Sequence, residues 1–374
     1  MIAFTMFAVS CDNKPVEPKE YTVTFETGTE SKIEAVKVEE GKTVARPKDP
    51  ENAGMVLVGW YLGEVEYDFT TPVKADITLK AHWGKKIVKE EDFAKIKLTP
   101  IIENKDTFND ESANNLSDTY IILEDDITVS HLLYVAKGAT ATIDLNGHKI
   151  ESSFDGFTIG NWGDLTIIDS SKDKKGIVCN VCKSFDNGFI GHDAVRNFGK
   201  LVIDGGTYGD EDLDKTNANS NNYGAALRNI SGATAIIKSG NFSAGDNYWD
   251  DPSGKNNGFT YAIRNAGELT VEDWHVYGKM NGGVSGDGGT MHLNGGKVEI
   301  TDAKSFHTLT VDKKSGPKVY ISGGEYINNN TTYGHVFSAF DGMPSWEVTD
   351  LESYGYFVTG GKFIEDGVEK KVIK

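Results

Sequence analysis

From about Thr119 onward the chain repeats one hydrophobic–polar pattern. Apolar and polar residues alternate over four or five positions, a glycine-containing corner follows, and a second short run opens on an aromatic or aliphatic residue. Examples are AVRNFGKLVIDGGTYG from Ala194, ALRNISGATAIIKSGNF from Ala226, and AIRNAGELTV from Ala262. Alternation with period two is the signature of a strand with one buried face. A register set on one inward position runs through Leu145, Ile167, Ile203, Ile237, Val271, Ile300, Ile321 and Val358. The residue two earlier is usually apolar too: Ile143, Leu165, Leu201, Ala235, Leu269, Val298, Val319 and Tyr356. Five residues after the anchor comes Ile150, Tyr208, Phe242, Val276, Tyr326 or Phe363, which predicts a second internal column. Repeats of this kind stack, because one copy cannot bury its own apolar face. The expectation is an all-β chain with a parallel solenoid of about eight rungs over 119–374.

Asn161, Asn197, Asn229, Asn265 and Asn294 recur just before strands. Asparagine suits turns, and stacked copies can form a hydrogen-bonded structural ladder. Arg196, Arg228 and Arg264 each precede one of these asparagines, so alternation points them outward if the asparagines point in. Loop carboxylates are their simplest partners, and an acidic polysaccharide is the alternative.

Most insertions leave after the glycine–aromatic corner: 170–193, 209–223, 243–260, 277–290 and 327–354. Insertions at one corner of successive rungs form one loop-covered side, commonly a binding side in solenoids. Two loops stand out. One carries Asp210, Glu211, Asp212, Asp214 and Tyr223, and the other Asp246, Tyr248, Trp249, Asp250 and Asp251. Aromatic rings beside carboxylates suit sugar recognition, and the same carboxylates could hold Ca²⁺ through oxygen. No fixed calcium spacing is present, so Ca²⁺ is a possible ligand and no other cofactor is expected. Trp346 is a weaker candidate of the glycan-binding kind.

The start of the chain differs. Glu20–Trp83 holds YTVTF, EEGKTV with two prolines after it, VGWY, YDFTTPV and DITLKAHW. This order of motifs closely resembles the Listeria–Bacteroides repeat, or internalin B-type repeat. The resemblance implies a small β-grasp-like domain, a stalk or adhesion role on a bacterial surface, and no enzymatic activity. The solenoid resembles pectin-lyase-like right-handed parallel β-helix domains of bacterial surface proteins, through TIDLNGHKI at Thr142, LTIIDSS at Leu165 and the glycine–aromatic rungs. That fold hosts lyases, hydrolases and non-catalytic adhesins alike. Residues 1–10 are apolar, and Ala8-Val9-Ser10-Cys11 resembles a lipobox, which implies lipidation of Cys11. Residues 1–19 are then a signal remnant and linker, and 84–118 a junction and N-terminal cap, with a short amphipathic helix over 89–98.

Charge and chemistry narrow the picture. A formal net charge of −18 argues against nucleic-acid binding, which needs a basic face. Three cysteines include one Cys-x-x-Cys, Cys179 and Cys182, which reads as two thiols or a local disulfide and only weakly as zinc. No nucleophile constellation stands out, and Gly191-His192-Asp193 is too short a match to a glycosidase histidine motif to count. The expectation is a lipid-anchored, non-catalytic protein of the bacterial cell envelope, exposed outside the cytoplasm. Its partner would be a host or environmental glycan or surface protein, and it would meet the membrane through its lipid alone. The alternatives are a polysaccharide lyase or glycoside hydrolase, and a structural spacer without a ligand.

Overall fold

The computed structural model describes residues 18–96, 113–154, 156–181, 192–209, 224–243, 261–278, 282–300, 307–329, 335–339 and 350–371. The chain divides into two units, one ending at Gly84 and one beginning at Lys85.

The first unit is a mixed sheet. Strand Glu20–Glu26 runs antiparallel to Val36–Glu39 on one side and parallel to Ile77–Ile87 on the other. Met55–Leu62 turns back on Val65–Glu66. The period-two runs read in the sequence therefore lie in one sheet, its first and last strands side by side. Val23, Phe25, Val38, Val44, Trp60, Val73 and Leu79 fill its core. Trp60 meets Phe25 edge to face at 5.1 Å, and the Trp83 indole N–H donates to the Thr27 carbonyl at 2.8 Å. Both tryptophans belong to the packing of the unit.

The second unit is a parallel β-helix with three strand-bearing faces. Each level holds a third-face strand, then a first-face strand, then a second-face strand. Level by level, for example, Leu133–Val135, Thr140–Asp144 and Lys149–Ser152 are followed by Ile159–Asn161, Asp164–Ile168 and Ile177–Asn180. Lys200–Gly209 and Thr234–Ser243 each serve two faces by bending at their glycines. The third face is a ten-stranded sheet whose edge strand, Ala94–Ile96, is antiparallel. That leaves nine parallel levels, from Ala113–Asn115 to His335–Ala339, one more than the eight anchors suggested.

Three inward columns make the core. On the first face Ile121, Ile143, Ile167, Ile203, Ile237, Val271, Leu293, Ile321 and Val358 stack in register. This corrects the expected register at two rungs: Ile143 replaces Leu145, and Leu293 replaces Ile300. Ile143-Asp-Leu145 and Val298-Glu-Ile300 present the same alternation, so period alone cannot choose between neighbouring pairs. Leu145 is buried at the corner instead, and Ile300 ends a second-face strand. The second column holds every residue anticipated for it: Ile150, Tyr208, Phe242, Val276, Tyr326 and Phe363, with Val178 and Val298 between them. Tyr208 stacks on Phe242 at 5.1 Å and Tyr326 on Phe363 at 5.4 Å, close to the level spacing of about 4.8 Å. The third column, from Leu133 and Ile159 through Val195, Leu227, Ile263 and Val284 to Leu309 and Phe337, rides on short strands.

Open solenoid ends expose unpaired strands. Here antiparallel strands cover two of the faces: Ala94–Ile96 the start of the third, and Val368–Lys370 the end of the second. Lys85–Ile87 pairs in parallel with Ile121–Leu123 at the start of the first. The helix expected over 89–98 is instead a short 3₁₀ turn, Glu90–Asp92, followed by the strand Ala94–Ile96. Among its described residues Phe93 is the one buried apolar side chain, too narrow a stripe to hold a helix against a core.

Candidate functional site

The corner between the third and first faces is built by asparagines. Asn161, Asn197, Asn229 and Asn265 occupy equivalent places at the ends of third-face strands. Each side-chain N–H₂ donates to the next asparagine's Oδ1, at 2.7, 2.8 and 2.7 Å in turn. The same groups donate to the carbonyls of Lys200, Thr234 and Glu268 on the level above. After Asn161, Asn197 and Asn265, though not after Asn229, a glycine stands two residues on and is required there. A Cβ at Gly199 would lie 2.1 Å from the Gly163 carbonyl oxygen, and one at Gly267 2.3 Å from that of Ala233. The Asn-x-Gly pattern is thus a corner in which backbones nearly touch. Asn294 lies outside this ladder. It follows a first-face strand, is exposed, and accepts from the Ser322 hydroxyl at 2.8 Å. Gly286 takes the next place above Asn265.

Arg196, Arg228 and Arg264 stand side by side in the third face, one residue before the ladder. They point away from the core, as alternation required, yet they are not a free outer column. Arg196 is 3% exposed, with its guanidinium 4.4 Å over the Phe157 ring and 2.6 Å from Asp193. Arg228 reaches the same carboxylate at 2.9 Å, and Arg264 pairs with Asp287 at 2.6 Å. Asp193 is wholly buried and also accepts from the Ala225 amide at 2.9 Å. Burial works against its charge, but the Arg196 and Arg228 guanidiniums outweigh it and hold the carboxyl below its ordinary range. Asp193 closes the Gly-His-Asp sequence. Its role as a bridge between two levels could not be read from that triplet.

The corner between the second and third faces is the place where chain is inserted. Second-face strands end at Asn180, Gly209, Ser243, Gly278, Ile300 and Asn328, and third-face strands begin at Val195, Leu227, Tyr261, Gly282, His307 and His335. Their ends stack: Gly209 lies beside Ser243, Gly278 beside Ile300, and Ile300 beside Asn328. Six successive connections therefore leave from and return to one corner. Three expected boundaries shift. The span 170–193 contains strand Ile177–Asn180, and 277–290 contains Gly282–Gly286. The span 327–354 contains His335–Ala339, so Trp346 belongs to a connection at the other corner, between the third and first faces.

The glycan-binding candidates Asp246, Tyr248, Trp249, Asp250, Asp251, Tyr223 and Trp346 lie outside the described residues. So do the calcium candidates Asp210, Glu211, Asp212 and Asp214, the lipidation candidate Cys11, and Cys182. Cys179 is buried in the second face. Among the described residues, no group of three or more His, Cys, Asp or Glu side chains is placed to hold a metal ion.

Histidines mark the upper part of the same corner. His307 and His335 stack in register with ring centroids 6.2 Å apart, and His335 Nδ1 lies 3.8 Å from Glu365. Burial, then the neighbouring His335, pushes His307 down to about 4.

No helix among the described residues is long and apolar enough to cross a membrane. Two proteins of Evansella cellulosilytica, one named as a membrane protein and one as a glycine-rich membrane protein, are each 39% identical to this chain over 72 and 71 residues. Each match covers 18% of this chain and 11% or 8% of the relative, so the chain spans about a tenth of the length of the curated relatives it matches. No solved structure matches the chain. Residues 21–82, nearly all of the described part of the first unit, match the family model of the Listeria-Bacteroides repeat domain.

Proposed function

We propose that this chain is a binding module of the bacterial cell envelope: a Listeria–Bacteroides repeat followed by a β-helix whose inserted loops contact a glycan or a surface protein. The observation that carries this reading is the stacking of three long connections, 181–194, 210–226 and 244–260, at one corner of the solenoid. Nine levels of core hold that corner in place, and a four-member asparagine ladder fixes the far end of the third-face strands, so the loops can vary without cost to the fold. The membrane-protein names of the two relatives support an envelope location. The lipobox-like Ala8–Cys11 supports a lipid anchor at Cys11.

Binding is favoured over lyase chemistry by the arginines. A lyase needs a base to take the proton and a cation to neutralise the uronate, both in an open groove. Arg196 is buried, and all three arginines are engaged by Asp193 or Asp287. The test is a glycan array run beside a degradation screen on the same polysaccharides. Binding without released product supports the module, and product release with turnover overturns it.

A further inference from the structure

At the opposite corner of the solenoid, between the first and second faces, lies an open groove of about 400 Å³. That volume is in the range of small-ligand sites, roughly 300–1,000 Å³. Its lining runs over four levels: Gly205 and Gly206, then Gly240, then Trp274, then Gly296. One wall is a column on the outer side of the second face, where Asn241, His275 and Lys297 stand in register. Period two makes them outward because Phe242, Val276 and Val298, one residue on, face the core.

The groups along the groove are hydrogen-bonding groups with capacity left over. Asn241 has only a long contact, 3.4 Å, to the Thr207 hydroxyl. His275 uses Nε2 on Glu299 at 2.9 Å, leaving Nδ1, and Lys297 shares that carboxylate. Asp273 is exposed and has no partner among the described residues. Trp274, 3% exposed, lines the groove, and its indole N–H has no partner among the described residues. A buried donor left without an acceptor is unfavourable, and a ligand oxygen would satisfy it. The charges close to balance: Lys297 and His275 are met by Glu299, and the rest of the lining adds one acid, Asp273, and one base, Lys174.

We propose that this groove is a carbohydrate subsite for an uncharged, linear oligosaccharide lying along the solenoid axis. Mixed donors and acceptors without a net cationic cluster suit hydroxyl groups and do not select an anion. Levels about 4.8 Å apart make the four-level groove about 14 Å long, so one level addresses one part of an extended chain. The subsite rests on the glycan reading above but occupies a different corner from the loops.

The full chain is applied to an array of neutral and uronic tetrasaccharides. Three variants accompany it: Asn241→Trp, which fills the groove; Asp273→Asn; and replacement of 244–260 by a short glycine–serine linker. Denaturation midpoints confirm that each variant folds, and Asp273→Asn, at an exposed position, serves if Asn241→Trp does not. The expected result is binding of neutral tetrasaccharides, weakened at least about tenfold by the groove variants and retained on loop replacement. Loss on loop replacement with the groove variants unaffected overturns the subsite and leaves the loop reading standing. Binding of uronic sugars alone, or of none, overturns it as well.

Discussion

Asn197 is the most exacting test of how the solenoid corner is held. It is fully buried and makes five contacts. Its Oδ1 accepts from Asn161 at 2.7 Å and from the Gly199 amide at 3.2 Å. Its N–H₂ donates to Asn229 at 2.8 Å, to the Thr234 carbonyl at 2.9 Å and to the Gly199 carbonyl at 3.2 Å. In Asn197→Ala, Asn161 keeps its bond to the Lys200 carbonyl. Asn229 Oδ1, the Gly199 amide and the Thr234 carbonyl each lose a partner where water has little access. At about 1–3 kcal/mol for each buried group left unsatisfied, and with partial relaxation, the expected loss is about 3–6 kcal/mol. The effect reaches the levels above and below, because each level is stabilised by its neighbours. Asn294→Ala is the matched control. It removes an exposed side chain that accepts from one hydroxyl and should cost no more than about 0.5 kcal/mol. Guanidinium denaturation followed by far-ultraviolet circular dichroism reads both. A loss below about 1 kcal/mol for Asn197→Ala, or one equal to that of Asn294→Ala, refutes the claim that the ladder holds the corner.

Other consequences follow from the same structure. Asp193→Ala removes the carboxylate between Arg196 and Arg228 and should destabilise the chain by about 3–5 kcal/mol, measured as a shift in denaturation midpoint. Acid should act in two windows. Glu90 is held at about 2: burial opposes its charge, and hydrogen bonds from Asn114, Lys95, His131 and Ser130 outweigh burial. Its contribution is complete above about 4.5 and is lost as pH falls toward 2. His307, depressed to about 4, binds a proton in the unfolded chain first, so stability also falls between about 6.5 and 4. Denaturation midpoints across pH should show the lower window vanish in Glu90→Gln and the upper one in His307→Phe. Cys11→Ala should abolish incorporation of a labelled lipid precursor in a bacterial host, and unchanged labelling would remove the anchor.

The fold was legible where period two was reinforced by bulk. Tyr208, Phe242, Tyr326 and Phe363 sit at one offset after their anchors, and all four lie in the second inward column. Period alone failed at Leu145, where Ile143 in the same alternation competes for one inward place, and at Ile300, where Met291 with Leu293 and Val298 with Ile300 form two alternating runs on different faces. Asn294 shows the limit of recurrence. It precedes a strand, as the ladder asparagines do, but it belongs to the next corner along. The third column was hidden because strands such as Val195–Asn197 and Leu227–Asn229 are three residues long, too short to show a period. Arg196 was legible as outward but not as buried, since Phe157 comes to it from the neighbouring level and Asp193 folds back on it from just before its own strand. The wall of Asn241, His275 and Lys297 was missed, although each stands one residue before an inward residue and alternation alone places it outside.

The central claim is that the levels carry stability and the inserted corner carries recognition. Replacing 244–260 and 210–223 together with short glycine–serine linkers, then measuring adhesion of the purified chain to the surfaces bound by the parent, tests it most directly. The account predicts that binding through the loop corner is lost while the denaturation midpoint stays within experimental scatter of the parent's. Full adhesion by the loop-replaced chain would contradict it.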